Sequence, residues 1–152
     1  MIRHTMICSA LALAGLGAFT GAAAKTCDVT IESDDKMKFD KSQIAIAADC
    51  TEVKMTLKHV GKLPVAAMGH NWVLTTTPNF QPVANAGASA GVAGNYLPKD
   101  DARVIAHTKL IGGGETTTVT FPTSKLQKGG DYTFFCSFPG HWAVMKGKLT
   151  FG

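Results

Sequence analysis

The chain has 152 residues, of which 45% are hydrophobic, and it carries 15 Lys and Arg residues against 11 Asp and Glu residues. This length suits a single domain with a real hydrophobic core. The basic residues are scattered along the chain and form no dense cluster, which argues against nucleic acid as the main partner.

Residues 1–24 have the pattern of a secretory signal peptide. Arg3 gives a charged start, residues 7–19 are a short apolar run, and residues 22–24 offer a cleavage site of small side chains. The apolar run is shorter than the roughly 18 residues that a membrane span requires. We therefore predict removal of residues 1–24, which leaves residues 25–152 as one domain without a membrane anchor. The formal charge falls from +4 to +3, because only Arg3 is lost.

Most of the remaining chain has the pattern of short strands between turns. Val53, Met55 and Leu57 alternate with polar residues, as in a half-buried strand. Further candidate strands are residues 44–46, 70–76, 104–111, 116–121, 132–136 and 146–151. About eight such strands predict an all-β fold, a Greek-key β-sandwich or barrel.

One segment interrupts this pattern. Residues 78–98 are rich in Ala and Gly and are too long for a plain turn. We interpret them as a short helical flap on the outside of the sandwich. A flexible loop is the alternative, because each glycine in a helix costs up to about 1 kcal/mol relative to alanine.

Three cysteines follow the signal peptide: Cys27, Cys50 and Cys136. An exported protein favours one disulfide and one odd thiol. Since Cys136 lies close to a histidine and a methionine, Cys27 and Cys50 are the predicted pair. Their bridge closes a loop of about 24 residues, which is worth on the order of 3 kcal/mol. The odd thiol is a liability outside the cytoplasm unless a metal occupies it.

A soft metal site is predicted in the last loop. His141 follows Cys136 by five residues, and Met145 follows His141 by four. Each residue alone has an ordinary interpretation, as a buried cysteine, a surface histidine and a core methionine. Together, a thiolate, a thioether and imidazoles form a trigonal site that suits copper in both oxidation states. Pro139-Gly140 would turn the loop back toward the sulfur, and His70 is the candidate second imidazole.

Three segments resemble the azurins, a branch of the cupredoxin family of blue copper proteins. They are residues 68–74, residues 104–112 and residues 134–141, and the likeness extends from Cys27 to Phe151. Three residues separate His141 from Met145, which is similar to azurins, whereas four would be more like plastocyanin or pseudoazurin.

The resemblance implies a ligand set for one copper ion. His70, Cys136 and His141 would lie near one plane around the metal. The Met145 sulfur would be a long axial contact, and the backbone carbonyl of Gly69 would approach from the opposite side.

Two neighbours of the site follow from the same resemblance. Asn71 would tie the His70 segment to the Cys136 loop and could donate a hydrogen bond near the sulfur, and Phe138 would lie beside the ligands. Partners of this kind tune metal sites. An ordinary turn residue is the alternative interpretation of Asn71.

The other histidines and one tryptophan have weaker signals. His59 shares the buried parity of its strand, so we expect a buried, hydrogen-bonded ring; the resemblance adds a modest role as a pH sensor. His107 is predicted to be a surface histidine. Trp72 resembles the buried core tryptophan of azurins, and its indole N–H needs a partner or a dry pocket.

Apolar residues surround His141, and the resemblance extends them into a flat docking patch. An exposed apolar patch marks a contact surface, and a small one suits brief encounters with redox proteins. The alternative is that some members, Leu63 above all, pack into the core. The patch comprises Met37, Leu63, Ala67, Met68, Phe138, Pro139, Gly140, Trp142 and Ala143.

These features predict a periplasmic electron carrier that cycles between Cu(II) and Cu(I). The resemblance implies redox partners such as c-type cytochromes or periplasmic reductases and dehydrogenases, bound transiently. A copper enzyme is a weaker alternative, because catalysis needs an open coordination position or further histidines. The other alternative is a protein that stores or delivers copper or holds structural zinc, although a methionine ligand adds little for zinc.

Overall fold

The computed structural model describes residues 24–152, so the predicted signal peptide lies almost wholly outside the described residues. These residues form eight strands and two short α-helices. The strands are β1 Thr26–Ser33, β2 Gln43–Ile46, β3 Glu52–His59, β4 Val73–Thr76, β5 Ala106–His107, β6 Thr116–Pro122, β7 Tyr132–Phe135 and β8 Lys146–Phe151. The helices are α1 Val65–Met68 and α2 Phe80–Gly87. None of the described helices is long and apolar enough to cross a membrane.

The strands form two sheets, so the predicted β-sandwich is confirmed, as two sheets and not one closed barrel. One sheet has the order β1-β3-β6 and the other the order β2-β8-β7-β4-β5. β1 runs parallel to β3 and β2 parallel to β8, and the other neighbours are antiparallel. The alternating residues of β3 place Val53, Met55 and Leu57 in the core.

Two predicted strands are much shorter than the sequence pattern indicates. The prediction of strand over residues 70–76 and residues 104–111 was wrong outside Val73–Thr76 and Ala106–His107. The Thr108 hydroxyl accepts a hydrogen bond from the backbone N–H of Trp72 at 2.9 Å. A side-chain oxygen thus takes the place of the backbone carbonyl that would accept this N–H in a regular sheet. His70 then pairs with Ile111 in an isolated bridge. This break separates the ligand-bearing segment from the regular sheet.

The core is built around aromatic rings. Trp72 is fully buried, with its ring about parallel to those of Phe121 and Phe134 at centroid distances of 6.1 and 6.2 Å. Its indole N–H has no hydrogen-bond partner among residues 24–152. Of the two environments expected for Trp72, a hydrogen-bond partner from the described protein atoms is therefore excluded.

The segment 78–98 begins as the predicted outer helix. α2 buries Val83 and Ala84 in a small cluster with Phe135 and Leu97. Two 3-10 turns, Ala88–Ala90 and Val92–Gly94, continue the flap. A Cβ at Gly87 would lie 2.1 Å from the carbonyl oxygen of Tyr96, so only glycine lets the chain fold back so closely.

The predicted disulfide is confirmed. Cys27 in β1 is bonded to Cys50, which precedes β3, and Cys136 is the free cysteine of the described chain. The bridge lies where β3 begins, whereas the other end of β3, at His59, reaches the histidines described next.

Candidate metal centre

The candidate ligands come from loops at one end of the sandwich. His70 lies between α1 and β4, and Cys136 directly follows β7. His141 begins a 3-10 turn after Gly140, whose φ of 80° is in the region that favours glycine. Met145 precedes β8, and its carbonyl accepts the N–H of Cys136 at 3.0 Å, so both ends of the loop are tied together.

The structure brings three buried donor atoms together. Cys136 Sγ is 3.7 Å from His70 Nδ1 and 3.7 Å from His141 Nδ1, and the two nitrogens are 3.2 Å apart. A point equidistant from the three atoms lies about 2.1 Å from each, since these distances are the edges of the triangle; this is close to ordinary metal–nitrogen and metal–sulfur bond lengths. The donor set fits a single metal ion.

The histidine rings are oriented for binding through Nδ1. His70 Nε2–H donates to the Asp34 carbonyl at 2.8 Å, which leaves Nδ1 free as a ligand atom. Burial lowers the pKa of His70 to about 4, and the hydrogen bond to Asp34 only partly offsets this effect. Burial also lowers the pKa of His141. Both rings are therefore neutral near pH 7, as metal ligands must be.

The thiol of Cys136 needs a cation to ionise. Burial raises its pKa to about 12, although hydrogen bonds from the backbones of Asn71 and Phe138 act in the opposite direction. A thiolate in this position is stable only when a positive charge replaces the proton. A soft metal ion bound by the sulfur and two imidazoles meets that need.

The two predicted axial groups come from Gly69 and Met145. The Gly69 carbonyl oxygen lies 3.8 Å from Cys136 Sγ, so it faces the donor triangle. A Cβ at Gly69 would be 2.6 Å from the carbonyl oxygen of Val65. Met145 is fully buried beside the site. Its sulfur as an axial ligand stays a prediction.

Asn71 joins the two ligand-bearing segments. Its Oδ1 accepts the N–H of Ser137 at 2.8 Å, and its Nδ2 donates to Ser137 Oγ at 2.8 Å. Nδ2 also donates to the carbonyl of Asn95 at 2.9 Å. The side chain thus connects the residue after His70 to the residue after Cys136. The hydrogen bond from Asn71 to the Cys136 sulfur comes from its backbone and not from its side-chain amide, whose contacts are those given above.

Phe138 and His59 pack against the ligand rings. The Phe138 ring centroid is 4.5 Å from that of His141, and the His59 ring stacks on His70 at 4.5 Å. His59 is buried; its Nε2–H donates to the Met68 carbonyl and its Nδ1 accepts the N–H of Gly61. The pH-sensor role of His59 stays a prediction. His107 is exposed and lies outside the donor triangle.

The predicted docking residues all have exposed surface. Met37 and Leu63 are each 41% exposed, so Leu63 is not a core residue. Met68, Phe138 and Trp142 are half-buried, and Ala67, Pro139, Gly140 and Ala143 are exposed. Val144, which is not among the predicted docking residues, is 64% exposed in the same loop.

Sequence reasoning missed the backbone groups that hold the ligands. The Asp34 carbonyl that orients His70 is 36 residues away along the chain, and the Asn95 carbonyl lies in the flap. Every residue has a backbone carbonyl, so the amino-acid type at a position does not show which carbonyl accepts such a hydrogen bond. Asn95 does carry one signal, because asparagine adopts a left-handed backbone more readily than most residues, and its φ is 55°.

A β-sandwich with a buried triangle of one thiol and two imidazoles defines a small mononuclear metalloprotein of the blue copper type. Residues 25–152 match the family of copper binding proteins described as the plastocyanin/azurin family. The chain belongs to this family, copper is its cofactor, and it is a type 1 copper electron carrier.

Individual azurins are similar to this chain over about four fifths of its length. Azurin-1 of Alcaligenes xylosoxydans xylosoxydans is 56% identical over 123 residues, which are 81% of this chain and 95% of that protein. Azurin of Pseudomonas fluorescens biotype C is 56% identical over 124 residues, 82% of this chain and 97% of that one. The solved azurin Az-iso2 of Methylomonas sp. strain J superposes with a TM-score of 0.80 at 43% identity, covering 83% of this chain and 98% of its own. The resemblance inferred from the sequence is confirmed.

Proposed function

We propose that this protein carries single electrons between redox proteins of the periplasm and transforms no substrate of its own. The observation that carries the proposal is the buried triangle of Cys136, His70 and His141. It is the single group of three or more His, Cys, Asp or Glu side chains in residues 24–152 that could hold a metal ion. A catalytic centre with several metal ions would need further groups of this type.

The chain's own contacts favour electron transfer over catalysis. When bound, copper supplies a reversible one-electron couple. The His70 and Cys136 segments are restrained by hydrogen bonds, from the His70 ring to the Asp34 carbonyl and from the Ser137 N–H to Asn71 Oδ1. Because fixed donors leave little room for rearrangement, the site changes oxidation state without a large change in shape. If the predicted contacts from Gly69 and Met145 join the three donors, the residues that would hold copper leave no open position for a substrate.

The surface around His141 supports transient docking of a protein. The loops 63–69 and 137–145 contain no Asp, Glu, Lys or Arg, and neither does the flap, residues 78–98. A partner that approaches these loops meets an apolar surface beside a ligand ring, and the charged residues of this end lie at its margin, next to Met37 and Leu63. Such a surface suits c-type cytochromes or periplasmic reductases and dehydrogenases bound in small, short-lived interfaces.

Two features support an exported location. Residues 1–24 have the composition of a signal peptide. The Cys27–Cys50 disulfide needs an oxidising compartment, since disulfides rarely persist in the cytosol.

The docking proposal is tested with one alanine in the patch and one at the far end of the sandwich. Ala67 and Ala47 are both exposed, and Ala47 directly follows Ile46, which pairs with Phe151 at the end of β8 remote from the ligands. Ala67→Asp should slow reduction of a ferric c-type cytochrome by the Cu(I) protein in stopped-flow absorbance by roughly tenfold, because an unpaired charge in an apolar contact costs more than 1 kcal/mol. Ala47→Asp should leave the rate nearly unchanged.

Equal slowing by the two variants would contradict the docking surface. The carrier proposal is tested separately, by repeated reduction and reoxidation of the wild-type protein. We expect the blue absorption to return in full after each cycle. Release of copper upon reduction would instead favour copper storage or delivery.

A further inference from the structure

Asn95, near the end of the flap, is hydrogen-bonded to the segments that carry the metal ligands. Its backbone carbonyl accepts two hydrogen bonds, from Asn71 Nδ2 at 2.9 Å and from Ser137 Oγ at 2.8 Å. Since Asn71 follows His70 and Ser137 follows Cys136, one carbonyl oxygen contacts both ligand-bearing segments.

The side chain of Asn95 contacts a third segment. Its Oδ1 accepts the backbone N–H of Leu110 at 2.7 Å. A Cβ built at Gly69 would lie 3.1 Å from the Leu110 side chain, so Leu110 packs against the segment whose carbonyl faces the donor triangle. The next residue, Ile111, exchanges two backbone hydrogen bonds with His70, each of 2.9 Å.

The backbone at Asn95 is in an unusual conformation. Asn95 and Tyr96 have φ angles of 55° and 49°, the left-handed region that few residues other than Gly, Asn and Asp adopt readily. This turn directs the Asn95 carbonyl into the site. It also places the Tyr96 ring edge-on to Phe138, at 5.2 Å, and Phe138 in turn packs on His141.

We propose that Asn95 is a positioning residue of the copper centre. The bond from Leu110 to its side chain fixes the Asn95 peptide, and the fixed carbonyl sets the relative placement of the His70 and Cys136 segments. The position requires both a tolerance for left-handed φ and an acceptor at the end of a short side chain, and asparagine meets both needs without adding charge. The proposal rests on the copper centre and not on the identity of redox partners.

Three variants test it. Asn95→Gly keeps the carbonyl and the left-handed backbone but removes the acceptor for Leu110. Asn95→Asp keeps the acceptor and tolerates the same φ. Asp100→Gly is the matched control, because Asp100 also has a left-handed φ, of 53°, but is exposed beyond the flap.

The first readout uses the copper-free protein. Hydrogen exchange of the Leu110 amide, followed by NMR, should be faster in Asn95→Gly by roughly tenfold, the factor that corresponds to one hydrogen bond of ordinary net strength. Asn95→Asp and Asp100→Gly should exchange at about the wild-type rate. The same spectra show whether each variant is folded.

The second readout uses the Cu(II) protein. The Cys136–copper charge-transfer band and the copper hyperfine splitting should shift in Asn95→Gly and stay at the wild-type values in Asp100→Gly. Faster Leu110 exchange with an unshifted band would make Asn95 a structural residue only and would overturn the proposal. Unchanged exchange in Asn95→Gly, or equal loss of protection in Asn95→Asp, would overturn it as well. A wild-type protein without a blue band would contradict the electron-carrier function, whereas the exchange experiment would still test Asn95.

Discussion

Asn71→Ala should destabilise the copper-free protein strongly, although Asn71 is not a ligand. Asn71 is fully buried and makes three hydrogen bonds, two with Ser137 and one with Asn95. Ser137 is also buried, so the substitution leaves its backbone N–H without the Oδ1 acceptor.

The magnitude follows from these contacts. An orphaned buried donor costs about 1–3 kcal/mol. The Ser137 hydroxyl keeps its bond to Asn95, which limits the loss to one orphaned group and a small cavity. We expect a total loss of about 3 kcal/mol in the free energy of unfolding.

Equilibrium urea unfolding of the copper-free protein measures this loss, and Asn79→Ala is the matched control. The Asn79 side chain is half-buried and makes one hydrogen bond, to Thr76 Oγ1 at 2.9 Å. Its replacement should cost about 1 kcal/mol or less. If Asn71→Ala lowers the unfolding free energy no more than Asn79→Ala does, the role assigned to Asn71 is wrong.

Three further predictions concern stability and pH. Replacing Cys27 and Cys50 together by alanine should lower the unfolding free energy by about 3 kcal/mol but leave the blue absorption unchanged, because the bridge is remote from the ligands; a shifted band would contradict this. Because the pKa of His70 is lowered in the folded protein, the unfolded chain binds more protons than the folded protein does between about pH 6.5 and about pH 4. The copper-free protein should therefore lose stability as the pH falls through this range. Urea midpoints that stay constant over this range would contradict the argument from the burial of His70. Trp142→Ala removes the edge-on contact with Phe80 at 6.1 Å. It should lower the free energy of unfolding by about 2 kcal/mol, since the ring is only half-buried. Trp142→Phe should lower it by less than half as much in the same thermal or urea unfolding experiment.

Alternation in the sequence predicted β3, whereas β1, which alternates as well, was not among the predicted strands, and the two strands with interrupted pairing were predicted too long. β3 was predicted because one face of the strand is buried and the other exposed. Residues 70–72 are also buried, but the Thr108 hydroxyl and the isolated His70–Ile111 bridge replace regular pairing there. A hydropathy pattern records burial and does not record which atom accepts a given N–H.

The donor triangle was predictable because its thiol and imidazole side chains are identified by the amino-acid types themselves. Cys136 and His141 share one short loop, and only the second imidazole, His70, had to be found at a distance. The contacts that orient these ligands are different in kind. They depend on the Asp34 and Asn95 carbonyls, and any residue has a carbonyl, so only the folded chain identifies which ones take part.

The most direct test of the copper centre is the visible and electron paramagnetic resonance spectrum of residues 25–152 after addition of Cu(II), beside that of Cys136→Ser. We predict an intense blue charge-transfer band and a narrow copper hyperfine splitting, both absent from the variant, because the band arises from the bond between the Cys136 sulfur and copper. A pale, ordinary Cu(II) spectrum that the substitution does not change would contradict the assignment of Cys136, His70 and His141 as a type 1 copper site.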